Sequence, residues 1–301
     1  MDFGKLKEAV DESKEVAMYM VHIGPTKLTT ISPTIEPKLR GDIKQIIYSN
    51  LEKYSHCTAE NYNLIGSDDE IIENTTVQMY KDNIDSIVDS FSDTKTMPTR
   101  FGNNKFSYFV YDIEYNDKSS NEKKSIYFFR RAKKLSTFKR GFYGHLVDGH
   151  FKSLQDTDFL GVDDHIDFVI FGDDICIFEH ISFERILKLK NEFTDGAKKV
   201  FENKLIQEKI VNYEQFRDAA LAHGNFVKRL YKIHQNGDEV LFLKNIKKTN
   251  EVINKFNLQI KTKSGKFIYD DSAQIGDYIN LMQDAYYTTL IAGMDGVDTG
   301  R

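Results

Sequence analysis

Ile166-Asp167-Phe168-Val169-Ile170-Phe171, then Gly172-Asp173-Asp174, then Ile175-Cys176-Ile177-Phe178, is the stretch that decides the fold class. Two short apolar runs rich in β-branched and aromatic residues flank a tight polar connection, which predicts a β-hairpin. A longer version lies upstream. Phe106, Tyr108, Phe109, Val110, Tyr111, Ile113 and Tyr115 form one run and Ser125 to Phe129 the next, joined by the turn-forming residues Asn116 to Asn121. Farther upstream, Val16 to Ile23 reads as a mostly buried strand stopped by Gly24-Pro25.

Helical spacing surrounds these strands. A short amphipathic helix is expected around Lys5 to Ser13, a core-facing one over Pro37 to Tyr54 and another over Val77 to Phe91. Beyond Ser182 the pattern turns helical: Ser182 with Arg185 to Leu189, Phe193 to Ile210, Tyr213 to Ala222, Phe226 to Ile233 and Ile275 to Ala285, with Asn212 and Asn225 as candidate N-caps. Strands and helices in blocks, without βαβ alternation, predict an α+β fold: antiparallel β-hairpins forming a sheet, followed by a helical C-terminal half. The polar run Ser92 to Pro98 marks the expected boundary between an N-terminal α/β unit, residues 1–98, and the remainder, residues 99–301.

Of 301 residues, 40% are hydrophobic and 29% charged, enough apolar content for one or two cores and too much for a disordered chain. A charge of -5 excludes a uniformly basic nucleic-acid binder, so any anion site requires local segregation. Such segregation is present. Residues 118–154 hold ten basic side chains against two acidic ones, residues 155–185 nine acidic against one basic, and residues 221–267 ten basic against three acidic. No signal-peptide pattern or apolar span is found, which gives the expectation of a cytoplasmic protein. Cys57 and Cys176 stand far apart without a CxxC, excluding a four-cysteine zinc site.

The basic segments are candidates for contact with DNA phosphates, because each lysine or arginine near a phosphate displaces condensed counterions. The residues singled out are Arg130, Arg131, Lys133, Lys134, Lys139 and Arg140, with Lys244, Lys247 and Lys248 as a second group. No base-reading motif accompanies them, so binding is expected to be independent of sequence. The competing reading makes Arg130 to Lys134 the solvated end of a strand, neutralised by the acidic segment that follows. An enzyme reading places Asp112, Glu122 and Lys124 in the Asp…Glu-x-Lys order of magnesium nucleases. A third reading makes residues 155–185 an acidic docking segment of an adaptor. His145, His150, His165 and His180 lack ligand spacing and are read as structural. No catalytic residue, metal or cofactor is expected. Apolar residues near the C-terminus, such as Leu290 and Ile291, fit an interface as readily as a core, and a homo-oligomer is expected.

Leu160, the run Asp163-Asp164-His165-Ile166-Asp167-Phe168, the strand Ile175 to Phe178 and Phe183-Glu184-Arg185-Ile186-Leu187, preceded by Tyr127 to Arg131 and Lys134-Leu135, resemble the KwaB component of the Kiwa bacterial anti-phage defence system. The resemblance covers roughly Phe101 to Ile291. It implies a cytoplasmic protein that works with a small membrane partner of the KwaA type, binds DNA without strict sequence preference, and impedes phage DNA replication and late expression. It supplies no catalytic residues.

Overall fold

The computed structural model describes residues 1–13, 15–66, 71–94, 106–118, 120–132, 144–147, 150–153 and 162–298. The chain forms two compact units. One comprises Met1–Tyr62 and Asp69–Leu187, the other Asn63–Asp68 and Lys188–Arg301. The boundary expected near Pro98 lies outside the described residues, and the strands before and after it share one sheet.

The first unit contains α1 (Phe3–Glu12), β1 (Glu15–Ile23), β2 (Leu28–Ile31), α2 (Pro37–Tyr54), β3 (Thr58–Asn61), β4 (Ile71–Thr76), α3 (Lys81–Ser92), β5 (Tyr108–Asp117), β6 (Glu122–Arg131), β7 (Gly144–Val147), β8 (His150–Ser153), β9 (Phe168–Phe171), β10 (Asp174–Ile177) and α4 (His180–Ile186). Eight strands make one sheet in the order β2-β1-β5-β6-β9-β10-β4-β3, antiparallel at every step except β3 with β4. Both expected hairpins, β5-β6 and β9-β10, lie at its centre and pair with each other through β6 and β9. Their runs are nearly continuously apolar because both sheet faces are covered.

On one face, Val16, Met18, Met20, Phe109, Tyr111, Ile113, Ile126, Phe128, Val169 and Cys176 meet the apolar stripes of α1 and α2. Asp2 caps α1 by accepting from the N–H groups of Gly4 and Lys5 at 3.0 and 3.1 Å. At the other end of α1, the Lys44 ammonium donates to the carbonyls of Val10 and Ser13 at 2.8 and 2.6 Å. Asn50 of α2 donates to the Asp164 carbonyl at 2.7 Å and accepts from the Ile166 N–H at 3.1 Å, fixing the chain as it enters β9.

The opposite face is aromatic. Phe129 and Phe168 stack at 4.2 Å, Phe183 of α4 meets Phe168 edge-on at 5.2 Å, and Tyr19 stacks on Phe91 of α3 at 4.1 Å.

The second unit contains α5 (Leu189–Phe201), α6 (Lys204–Lys209), β11 (Ile210–Val211), α7 (Tyr213–Leu221), α8 (Gly224–Asn236), α9 (Leu241–Lys244), α10 (Ile246–Lys255), β12 (Lys261–Lys263), β13 (Lys266–Ile268), α11 (Ile275–Met282), β14 (Tyr286–Thr288) and β15 (Asp295–Val297). The single helix expected over Phe193 to Ile210 is two, α5 and α6, because Asn203 ends one and caps the next by accepting from the Leu205 N–H at 3.0 Å. Asn225 is not an N-cap: α8 starts one residue earlier, behind His223. Asn212 does precede α7, but its side chain donates to the Tyr269 carbonyl at 2.8 Å instead of capping the helix.

Candidate polyanion-binding surface

Arg130 lies at the end of β6, and strand alternation turns its side chain onto the face shared with Phe128 and Ile126. A buried guanidinium must be paired, and this one is. Its Nη1 donates to Asp167 Oδ1 at 2.6 Å, its Nε donates to Asp163 Oδ1 at 2.6 Å, and Nη2 donates to the other Asp163 oxygen. Arg130 is 3% exposed and Asp167 is 0% exposed. The second Asp167 oxygen accepts the Arg131 N–H, while the Asp167 main chain bonds Phe129, Phe178 and Glu179. Burial disfavours the charge on Arg130, but the two carboxylates outweigh it and hold the guanidinium protonated. Burial also pushes the Asp167 carboxyl up; with a guanidinium and a backbone N–H aimed at its two oxygens, it is the ionised partner.

Arg130 is therefore a staple between β6 and the segment leading into β9, and it does not present a charge to a phosphate. The same geometry occupies part of the acidic segment 155–185, since Asp163 and Asp167 face inward to Arg130. Arg131 is half-buried at the strand end and has no carboxylate within 4 Å among the described residues. Lys133, Lys134, Lys139 and Arg140 lie outside the described residues.

The nuclease trio does not converge. Asp112 pairs with Tyr127, whereas Glu122 and Lys124 pair with Asp117 and Tyr115. Paired residues share a sheet face and successive residues alternate, so Asp112 is on the face opposite Glu122 and Lys124. Lys124 is engaged by Asp117 at 2.5 Å. Among the described residues no group of three His, Cys, Asp or Glu side chains could hold a metal ion.

The second lysine group has a different setting. Lys244 ends α9, and Lys247 and Lys248 stand in the first turn of α10; all three are exposed. The β12-β13 hairpin brings two more. Ser264 and Gly265 both have positive φ, 52° and 73°, the pairing that a tight two-residue turn requires. A Cβ built on Gly265 would stand 4.0 Å from Ile246 Cδ1, so the hairpin tip rests on the start of α10 with exposed Lys263 and Lys266 on either side. None of these five lysines has a carboxylate within 4 Å among the described residues, in contrast to Lys255 with Asp295 and Lys261 with Asp270, both pairs at close range. Lysines in a first helical turn oppose the positive end of the helix dipole, at a cost of roughly 0.3–1 kcal/mol each. The first turn of α10 contains no acidic residue to relieve it. An incoming anion would meet these ammonium groups beside a helix end whose Lys248 N–H is already capped by Asn245 Oδ1 at 3.4 Å.

One polar cluster was not anticipated. His180, at the start of α4, bonds Glu73 of β4 at 2.6 Å through Nδ1 and Glu184 at 2.9 Å through Nε2, and Tyr62 donates to Glu184 at 2.8 Å while its ring lies over the imidazole at 5.0 Å. Burial alone would lower the His180 pKa, but the two glutamates push it up to about 9. The i,i+4 spacing of His180 and Glu184 was visible in the sequence; the Glu73 partner, 107 residues away, was not.

Comparison with known families gives a match to the family described as Kiwa protein KwaB-like, over residues 103–292. Neither the curated proteins nor the solved structures contain a match. The matched span runs from the central hairpins through the lysine-bearing helices and covers well over half of the chain. The chain belongs to the Kiwa KwaB-like family.

Proposed function

We propose that this protein is a component of Kiwa anti-phage defence that binds DNA through its phosphates, without strict sequence preference, and thereby impedes phage DNA replication and expression. The observation that carries the reading is the gathering around the start of α10 of Lys244, Lys247, Lys248, Lys263 and Lys266, all exposed and without a carboxylate within 4 Å among the described residues. Phosphate contact of this kind is electrostatic and carries no base information. Lys133, Lys134, Lys139 and Arg140 belong to the same proposal as a second contact region, with Arg131 at its edge; Arg130 does not. Family membership further supports a cytoplasmic site of action, recruitment by a membrane partner of the KwaA type, and assembly into a homo-oligomer. Among the described residues no helix is long and apolar enough to cross a membrane, so in this proposal any attachment comes through the partner.

The test is retardation of a duplex of arbitrary sequence by the parent protein and by K244E/K247E/K248E. At ~0.15 M salt each lost phosphate contact removes about 1 kcal/mol of counterion-release free energy, so the variant should bind at least about a hundredfold more weakly. Unchanged retardation would remove this lysine group from the proposal.

A further inference from the structure

The segment after α11 forms a hydrogen-bonded hairpin with an apolar tip. The Thr289 N–H donates to the Met294 carbonyl at 2.8 Å, the Gly293 N–H to the Thr289 carbonyl at 3.0 Å, and the Met294 N–H to Thr289 Oγ1 at 2.9 Å. Below the tip, Thr288 Oγ1 donates to Asp295 Oδ1 at 2.6 Å and Lys255 reaches Asp295 at 3.0 Å. Across the strand pair the Tyr287 ring closes over Gly296: a Cβ there would come within 2.6 Å of Cζ, so a larger residue requires the half-exposed tyrosine ring to move. On this framework Leu290 and Ile291 are fully exposed at 103% and 102%, and Met294, Tyr287 and Val297 are also exposed. Large aliphatic side chains held this far into water by an ordered backbone have no role in the core of their own chain.

At the base of the hairpin is a cavity of about 660 Å³. Tyr287 and Val297 line it together with Asp238, Asp284, Asp298 and Lys232. The ends of α8 and α11 also reach it, through Asn236 and Gln283, and helix C-termini carry partial negative charge. Lys232 at the lining and Arg229, held behind it by Gln283 and Asn280, offset part of this charge. Asp238 and Asp284 have no cation within 4 Å among the described residues, so the cavity stays net negative.

We propose that the apolar tip at Leu290, Ile291 and Met294 and the acidic cavity at its base form a docking surface for a basic, amphipathic polypeptide segment of a partner protein. The segment's apolar side chains pack on the tip, and a lysine or arginine enters between Asp238 and Asp284. Charge decides the occupant: the carboxylates that line the cavity below the tip complement a basic peptide, whereas an anionic membrane surface would meet them unfavourably. The pre-formed hairpin loses little conformational entropy on binding, which suits a knob fitting a partner's apolar face. The inference is independent of the DNA-binding reading, because none of the five lysines takes part.

The test uses the full chain and a fluorescent, helical Leu/Lys peptide of about 18 residues, with a Leu/Glu peptide of identical leucine spacing as control. The Leu/Lys peptide should bind, with L290S/I291S and D238N/D284N each weakening it by about tenfold or more, and the Leu/Glu peptide should bind about tenfold more weakly or not at all. Because Leu290 and Ile291 are fully exposed, serine there leaves the fold intact. Binding of either variant within about twofold of the parent, or equal binding of both peptides, would overturn the proposal. So would a self-association, seen in sedimentation, that L290S/I291S abolishes, since the occupant would then be a second copy. Partition onto neutral phosphatidylcholine vesicles that L290S/I291S abolishes would overturn it in favour of lipid.

Discussion

Replacing Arg130 with glutamine separates a structural role for this residue from a nucleic-acid role. In the parent, the guanidinium meets two carboxylates of unequal exposure: Asp163 is 32% exposed at its side chain and Asp167 is 0% exposed. After R130Q, Asp163 can hydrate, while Asp167 keeps only the Arg131 N–H and remains a buried charge without its cation. Breaking a buried pair from one side costs about 3–5 kcal/mol. In a unit of this size each kcal/mol moves the melting temperature by roughly 2–4 °C, so the loss corresponds to about 6–20 °C. Adding D167N should recover most of the loss, because the stranded charge is then gone. The assay is urea unfolding followed by circular dichroism, with duplex retardation measured on the same folded samples. R130Q should unfold early and, while folded, retain DNA as the parent does. An unaltered unfolding midpoint together with lost retention would refute the reasoning and return Arg130 to the phosphate-contacting group.

The His180 cluster predicts a pH dependence. Its folded pKa of about 9 lies above the unfolded value of 6.5, so the stabilisation is fully present below pH 6.5 and is lost as pH rises through about 9; H180Q should abolish that decline, seen in thermal melts across this window. Full loss amounts to about 3 kcal/mol in order of magnitude. In the second unit, a Cβ on Gly196 of α5 would stand 2.3 Å from Cδ2 of Tyr231 on α8. G196A should therefore destabilise by about 1–3 kcal/mol in chemical denaturation, even though alanine is intrinsically the better helix former by about 1 kcal/mol.

Much of the first unit was legible because its central strands announce themselves locally. The runs around Phe168 to Ile177 and Tyr108 to Phe129 are apolar on both sides of the pleat, which only a covered strand tolerates, and α2 repeats its apolar residues at 3.6 spacing over 18 residues. The outer strands β3 and β4 were not legible. Thr58 to Asn61 is exposed throughout and owes its place to pairing with β4, which in turn depends on β10, about 100 residues away. Long-range pairing also explains why Arg130 read as surface. Its sequence neighbours are basic, and its carboxylates arrive from 33 and 37 residues downstream. The lysine group was visible as composition only. That Lys263 and Lys266 join Lys247 and Lys248 follows from a hairpin tip resting on Ile246, a contact that no periodicity encodes.

The central claim is that phosphates bind at the start of α10, and the salt dependence of duplex affinity tests it most directly. Neutralising Lys244, Lys247 and Lys248 to alanine should make the slope of log affinity against log salt shallower by about 2.7, three phosphate contacts at about 0.9 each, with little dependence on duplex sequence. The same slope in parent and variant would contradict the account.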